Sequence, residues 1–429
     1  MAPWLTFALG LGNLALVAHA LRPIRRPTPL HVGAFFASWL FIELPLHMLC
    51  GMGLLLSICI WQGGLAAWPG WVGLGGCAGA AIGLLILARA LFKVVDHVNA
   101  ALNVLGLASP PERPYRRLRF WFPSSKYQPH VVTHRDIQYA AAGGRRNRLD
   151  IYCPKEGVTG APVVLQLHGG AWIIGHKRQQ GRPLLTHLAA NGFVCVAANY
   201  RLSPRATFPD HIIDVKRAIA WIRAHIADYG GDPGFIAITG GSAGAHLAAL
   251  AALTPCRREW QPGFESADTA VQACVPVYGV YDFTNRDDFV ATQSLDRVLR
   301  RVIMKRGLHS ARALYESASP VYHIGPEAPP FLVIHGRRDT LAPVEQSRRF
   351  VTELGAVSSA PALYLELPAA QHAFDLFPSV RVEAVLEGIR RFLAHAAGAS
   401  AGGQEGLGGE LGAQEAGLGV DHEPDGDGP

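Results

Sequence analysis

From Pro3 to Leu21 the chain carries no formal charge, and charge is scarce throughout: 17% of residues are charged against 49% apolar. The scarcity is uneven. Residues 1–93 are predominantly apolar, whereas 135–396 have the composition of an ordinary soluble domain. Positive charge stops altogether at Arg391, beyond which acids run from Glu405 to Asp427. The seven cysteines, at 50, 59, 77, 153, 195, 256 and 274, are odd in number and lack framework spacing. That argues against a disulfide-stapled fold and for reduced, buried thiols in a reducing compartment. There is no zinc-ligand spacing, no P-loop and no nucleic-acid-binding motif, so neither a metal nor a nucleic-acid partner is expected. With 39 Lys+Arg against 33 Asp+Glu, the basic excess beside long apolar runs suggests an anionic membrane surface.

The apolar part divides into three stretches. Pro3–Leu21 is long enough to span at ~1.5 Å per residue and ends in Arg22, Arg25 and Arg26. A cleaved signal peptide would carry its charges before the apolar run, so a retained span is expected. Val32–Trp61 is longer than a span needs and contains Glu43, Pro45 and His47, which fits a tilted, Pro45-kinked or partly interfacial segment. Trp71–Phe92 is the third, followed by Lys93 and Asp96. Arginines follow the first and third stretches, while Gln62–Gly70 has none, so the positive-inside rule puts the amino terminus outside and everything after Lys93 in the cytoplasm. If the second stretch does not cross, that side reverses. Glu43 would be either a buried partner for a neighbouring helix or a lipid-contact site.

The expected organisation is a transmembrane helical region at 1–95 with about three spans, a basic and aromatic linker at 96–134, and a domain of soluble composition at 135–396. A Gly-rich acidic tail at 397–429 has too few large apolar side chains to fold. Arg119-Phe120-Trp121-Phe122 in the linker suits either the lipid headgroup region or a plain tether.

Within 135–396, apolar runs at 163–168, 193–200, 235–240, 274–278, 331–335 and 363–367 read as strands. Many lack alternation, as strands buried on both faces of a parallel sheet do. Helical periodicity over 210–229, 344–354 and 380–395 completes an α/β pattern: a mostly parallel central sheet flanked by helices. Between one strand and one helix stands Gly240-Gly241-Ser242-Ala243-Gly244, a G-x-S-x-G turn that presents the serine hydroxyl. Serine needs an adjacent base, and His372 follows the last strand. Asp339 follows the strand before it and would orient the imidazole. Strand ends of a parallel sheet share one edge, so Ser242, Asp339 and His372 can converge there as a catalytic triad. After an earlier strand comes His168-Gly169-Gly170-Ala171-Trp172, whose backbone N–H groups, with that of Ala243, would form an oxyanion hole. Gly170 is its first candidate; Gly169 and Ala171 are not ranked by sequence, and His168 reads as structural. Such chemistry needs no metal and no organic cofactor.

These motifs, with Asn199-Tyr200-Arg201-Leu202-Ser203 and Tyr229-Gly230-Gly231-Asp232-Pro233, resemble the α/β-hydrolase superfamily, in its carboxylesterase/lipase branch related to hormone-sensitive lipase. The resemblance covers about 135–396, and the apolar amino-terminal region is similar to that of membrane-anchored bacterial lipase/esterases. It implies an α/β-hydrolase fold with a cap insertion, here about 284–325, and hydrolysis of ester or lipid-like small molecules through an acyl-enzyme. Ala171 stands where the three-glycine form has its third glycine, as in esterase, formamidase and prenylcysteine-methylesterase-like members. Activity on tertiary-alcohol esters is therefore not implied. An arylformamidase-like amidase or a prenylcysteine-methylesterase-like hydrolase is the alternative activity, and a catalytically silent scaffold the alternative of another class.

Other residues have plainer roles. His246 is expected in the helix under the serine turn, and His335 at a strand end below the Asp339 loop. Leu295, Val298, Leu299, Val302 and Ile303 recur at helical spacing among Arg297, Arg300 and Arg301. That segment either packs as a cap helix or lies on an anionic membrane.

Overall fold

The computed structural model describes residues 1–23, 31–108, 130–289 and 293–415. Arg25, Arg26, the aromatic cluster at 119–122 and residues 416–429 lie outside the described residues.

Among the described residues five helices come first: α1 (Ala2–Leu21), α2 (His31–Glu43), α3 (Pro45–Trp61), α4 (Trp68–Phe92) and α5 (Val94–Leu102). α1 and the helical segment opening at Trp68 are each long and apolar enough to cross a membrane. α2 and α3 meet at a bend of 100° where Leu44 precedes Pro45, because proline cannot continue the preceding helix and restricts the residue before it. α1 and α4 run parallel. Gly10 lies on Gly73 and Gly76, Gly79 against Leu14, and Gly83 against Val17, so positions rise together along both helices. A Cβ at Gly10 would collide with the Gly73 carbonyl, and this is the small-residue packing that lets apolar helices approach backbone to backbone. Two parallel neighbours need a return path, and α3 supplies it: Gly64, just beyond its end, lies against Thr6 near the start of α1.

The α/β domain is built on an eight-stranded sheet among the described residues: β1 (Val131–Gln138), β2 (Arg148–Pro154), β3 (Ala161–Leu167), β4 (Val194–Ala198), β5 (Gly231–Gly241), β6 (Ala273–Val277), β7 (Phe331–Gly336) and β8 (Ala362–Leu367). Its order is β1-β2-β4-β3-β5-β6-β7-β8. β2 is antiparallel to both its neighbours, β1 and β4, and the strands β4, β3, β5, β6, β7 and β8 form a parallel sheet. The central strands are buried along their length, which accounts for their unalternating sequences. Helices α6 (Arg182–Ala189), α7 (Asp210–His225), α8 (Ala243–Leu253), α9 (Gln293–Val298), α10 (Arg312–Ser317), α11 (Val344–Val357) and α12 (Val380–Glu415) complete the domain. The chain leaves β3 toward β4 and returns to β5 on the opposite side. The reversal lies between β3 and β5, where open parallel sheets bind ligands.

Several boundaries differ from the sequence expectation. The linker expected at 96–134 begins inside α5, whose Val94, Val98 and Leu102 are buried against the sheet domain. Their spacing of four is a helical stripe that a single short turn of sequence hides. α12 continues to Glu415, through the first part of the segment expected to be an unfolded tail. Cys50 and Cys256 are exposed, unlike the buried thiols at 77, 153, 195 and 274. In the insertion before β7, Leu299 and Ile303 are buried and Phe208 N–H donates to the Ile303 carbonyl. The apolar stripe thus packs onto the domain as a cap, leaving Arg297, Arg300 and Arg301 exposed.

Candidate active site

Ser242 stands between β5 and α8 with φ 56° and ψ −119°, a backbone conformation costly for a residue with a Cβ and typical of functional turns. Glycines make the turn possible: a Cβ at Gly240 would strike Gly244, and one at Gly244 would strike the end of β3. Ser242 N–H donates to the Val277 carbonyl at 3.0 Å, fixing the turn to β6. The serine remains partly accessible.

Asp339 and His372 come together at the ends of β7 and β8. The Asp339 Oδ2 lies 2.6 Å from His372 Nδ1, and both residues are buried. The other carboxylate oxygen accepts from Leu341 and Ala342 N–H, each at 2.8 Å. Burial alone would raise the Asp339 pKa; His372 and His335 outweigh it and hold the carboxyl well below the usual range. His335, read from sequence as a strand-end residue, is a second partner, with Nε2 3.1 Å from the same Oδ2. Nε2 also faces the Ala342 carbonyl at 3.3 Å, an obligate acceptor, so it carries the proton and Nδ1 accepts from Ser347 Oγ at 2.6 Å. The imidazole of His372 packs against Tyr278, their ring centroids 4.7 Å apart. Tyr278 in turn donates to Asp375 at 2.5 Å, a half-buried carboxyl whose pKa is pushed up by desolvation.

The loop after β3 is tightly folded. Gly170, Ala171 and Trp172 all have positive φ, at 114°, 51° and 60°, and both Ile173 and Ile174 N–H donate to the Gly170 carbonyl at 3.0 Å. Gly169 packs on Ser242: a Cβ there would lie 3.1 Å from that of the serine. Its N–H, however, donates to Gln180 Oε1 at 2.7 Å. Ala243 opens α8, where a backbone N–H has no intrahelical acceptor.

Three histidines nearby are framework. His168 stacks on Tyr200 at 4.5 Å, its Nδ1 2.8 Å from the Gly169 carbonyl, and burial pushes its pKa down to about 4. His246 lies under the turn, accepting from Trp172 Nε1 at 3.3 Å and facing the Ala318 carbonyl at 2.7 Å. Burial lowers it to about 3. His211, near the Ser203 hydroxyl at 3.2 Å, is lowered by burial to about 4.

Two ionic anchors escaped the sequence reading. Fully buried Lys177 contacts Asp136 at 2.6 Å and Asp150 at 2.7 Å, with Arg178 bonded to the same two acids. Lys177 N–H also donates to Asn199 Oδ1 at 2.7 Å. These bonds tie the loop after β3 to β1, β2 and the end of β4. On the other side, Arg381 of α12 contacts both carboxylate oxygens of Glu43 at 2.6 Å, both side chains being wholly buried. Glu43 is therefore a buried partner for another helix rather than a lipid contact, and that helix belongs to the α/β domain. No sequence signal links residues so far apart.

Residues 149–354 match the family model BD-FAE. The chain is 56% identical over 261 residues to the probable carboxylic ester hydrolase LipM of Mycobacterium tuberculosis, covering 60% of each chain. It is 49% identical over 273 residues to the esterase LipQ of the same organism, covering 63% of this chain and 64% of LipQ. A probable isoprenylcysteine alpha-carbonyl methylesterase of Arabidopsis thaliana is 34% identical over 49% of this chain and 45% of its own length. The chain thus spans less than two thirds of the length of these curated relatives. Among solved structures, a truncated carbohydrate esterase from gut microbiota aligns with TM-score 0.54 and 26% identity over 63% of this chain and 97% of that one.

Proposed function

We propose that this α/β-hydrolase domain, related to the carboxylesterases, is a serine carboxylic-ester hydrolase. The observation that carries the reading is the buried 2.6 Å Asp339–His372 pair at the sheet edge that also bears the strained Ser242 turn. In this reading His372 takes the Ser242 proton as the hydroxyl attacks the ester carbonyl, while Asp339 holds the imidazole tautomer and stabilises the imidazolium. His372 then gives the proton to the departing alcohol, and water, activated the same way, releases the acid from the acyl-enzyme. Gly170, Ala171 and Ala243 N–H groups are the oxyanion donors; one such donor is worth roughly 3 kcal/mol of barrier. Gly169 drops out of that set, because its N–H is already committed to Gln180.

The helices α1, α3 and α4 are read as three crossings, with α2 lying across the bend. The parallel α1–α4 pair with α3 returning beside them supports this. An odd number of crossings keeps the catalytic domain opposite the amino terminus, on the side the arginine distribution favours. The substrate class is an ester of apolar or lipid-like character reached from a membrane. Resemblance to named esterases favours esters over formamides.

The test is turnover of a p-nitrophenyl ester chain-length series by the full-length protein in detergent, with Ser242→Ala as control. Ester turnover lost in Ser242→Ala supports the reading, and faster turnover of an N-formyl aromatic amine than of any ester overturns it.

A further inference from the structure

We propose that Glu43, from the apolar helices, is a positioning residue for His372, so that the amino-terminal unit forms part of the catalytic apparatus rather than an anchor alone. The inference rests on the serine-hydrolase reading above. Glu43 ends α2 at the bend before Pro45, and its carboxylate faces the segment between β8 and α12 that carries His372. Arg381 holds the carboxylate through Nη1, and its Nη2 donates to the Ala369 carbonyl at 3.1 Å. Gln371 N–H donates to Glu43 Oε1 at 3.4 Å. The Gln371 side chain then accepts from His372 N–H at 2.9 Å and from Thr340 N–H, next to Asp339, at 2.8 Å. One buried carboxylate therefore reaches the backbone on both sides of the Asp339–His372 pair through Gln371, and the Ala369 carbonyl through Arg381.

The segment needs such support. Ala369 and Ala373, which bracket His372, have φ of 54° and 55° although neither is glycine. Such conformations persist only where the surroundings over-determine them. Ala369 also packs into the core of the apolar helices, and Trp39 of α2 lies 4.7 Å, centroid to centroid, from Phe377. On the Asp339 side, Arg338 donates to the Ala20 carbonyl at the end of α1, at 3.1 Å. Loss of the Glu43–Arg381 pair would leave the imidazole free to shift relative to Ser242, and a misplacement of ~1 Å can cost on the order of 10²-fold in rate.

The experiment uses the full chain in liposomes. Replacing a buried ion pair by apolar residues of similar size is often neutral for stability, so the principal variant is Glu43→Leu with Arg381→Met. A second variant, Arg381→Lys, keeps the charge but cannot bridge Glu43 and the Ala369 carbonyl together. The expected result for a folded variant is kcat reduced about tenfold or more, with KM within about twofold and slowed fluorophosphonate labelling of Ser242. A folded double variant with wild-type kcat and labelling rate overturns the proposal. So does a change in KM alone. If the double variant does not fold, Arg381→Lys decides by the same criteria. Failure of the underlying reading is distinguishable: there Ser242→Ala retains turnover, whereas here it is inactive and the Glu43–Arg381 variants are not.

Discussion

The two loops that flank Ser242 are both strained and both secured by buried ion pairs, but from opposite directions. The loop after β3 is held from inside its own domain, by Lys177 and Arg178 on Asp136 and Asp150. The loop carrying His372 is held from outside, by a carboxylate contributed by α2. One half of the candidate site is thus self-contained, and the other is completed by a segment more than three hundred residues away in sequence. The difference separates two uses of a buried charge: fixing a fold, and joining two units at a place where geometry matters for chemistry.

The comparison can be broken or sharpened by substitution. The largest effect is expected for Asp339→Asn, which leaves the shape but removes the acceptor that sets the His372 tautomer. kcat for ester hydrolysis should fall on the order of 10³–10⁴-fold, and the melting temperature should drop as well, because His335 and His372 lose a shared buried acceptor; a loss of kcat under tenfold in the folded variant would show that Asp339 is not the orienting acid. Next comes Lys177→Met on the opposite loop. Removing one partner of a buried pair costs about 3 kcal/mol or more, so the melting temperature should drop by several degrees while kcat, assayed where the protein is still folded, stays within about threefold. Equal losses of kcat from the two loops' anchors would erase the contrast drawn here. Gln180→Leu should be milder, lowering kcat about tenfold without a KM change, because the Gly169 N–H loses its acceptor and the donors beside it lose their fixed aim.

The smallest and most graded expectation concerns acid. His168 and His246, on the side of the loop after β3, have folded pKa values of about 4 and about 3 against an ordinary 6.5. The unfolded chain therefore binds more protons between those values, and stability falls as pH drops from 6.5 toward 4. Asp339, on the other side, has its pKa depressed from 3.8. Its contribution is complete above 3.8 and is lost only as pH falls below that. Melting temperature followed against pH should decline in these two windows in that order. A curve flat from 6.5 to 4 would contradict the buried, neutral state of the two histidines.

Much of this was legible in the sequence because it is local. The Ser242 turn announces itself through glycines whose spacing meets a single geometric need, and Asp339 and His372 each follow an apolar run that can only be a buried strand. The sheet was recognisable from those runs, although the two strands at its antiparallel edge were not: β1 is polar and largely exposed, and β2, though buried, has Arg148 and Asp150 in its sequence. What stayed hidden depends on contacts that cross the chain. Gly169 cannot be told from Ala171 as a donor without seeing Gln180 against it. Glu43 was conspicuous as an acid in an apolar stretch, yet nothing near it in sequence names Arg381. His335 was placed at its strand end, but its sharing of the Asp339 carboxylate required the fold.

The glycine seam between α1 and α4 has a bearing on how that distant carboxylate holds its place. Where Gly10 meets Gly73 and Gly76, main chain rests on main chain with no side chain between. Such a joint has no rotamers to rearrange and no cushion to compress. A lateral push on α1 is therefore passed to α4 almost undiminished, as through two nested rods, and the floor on which Glu43 stands moves only as a whole.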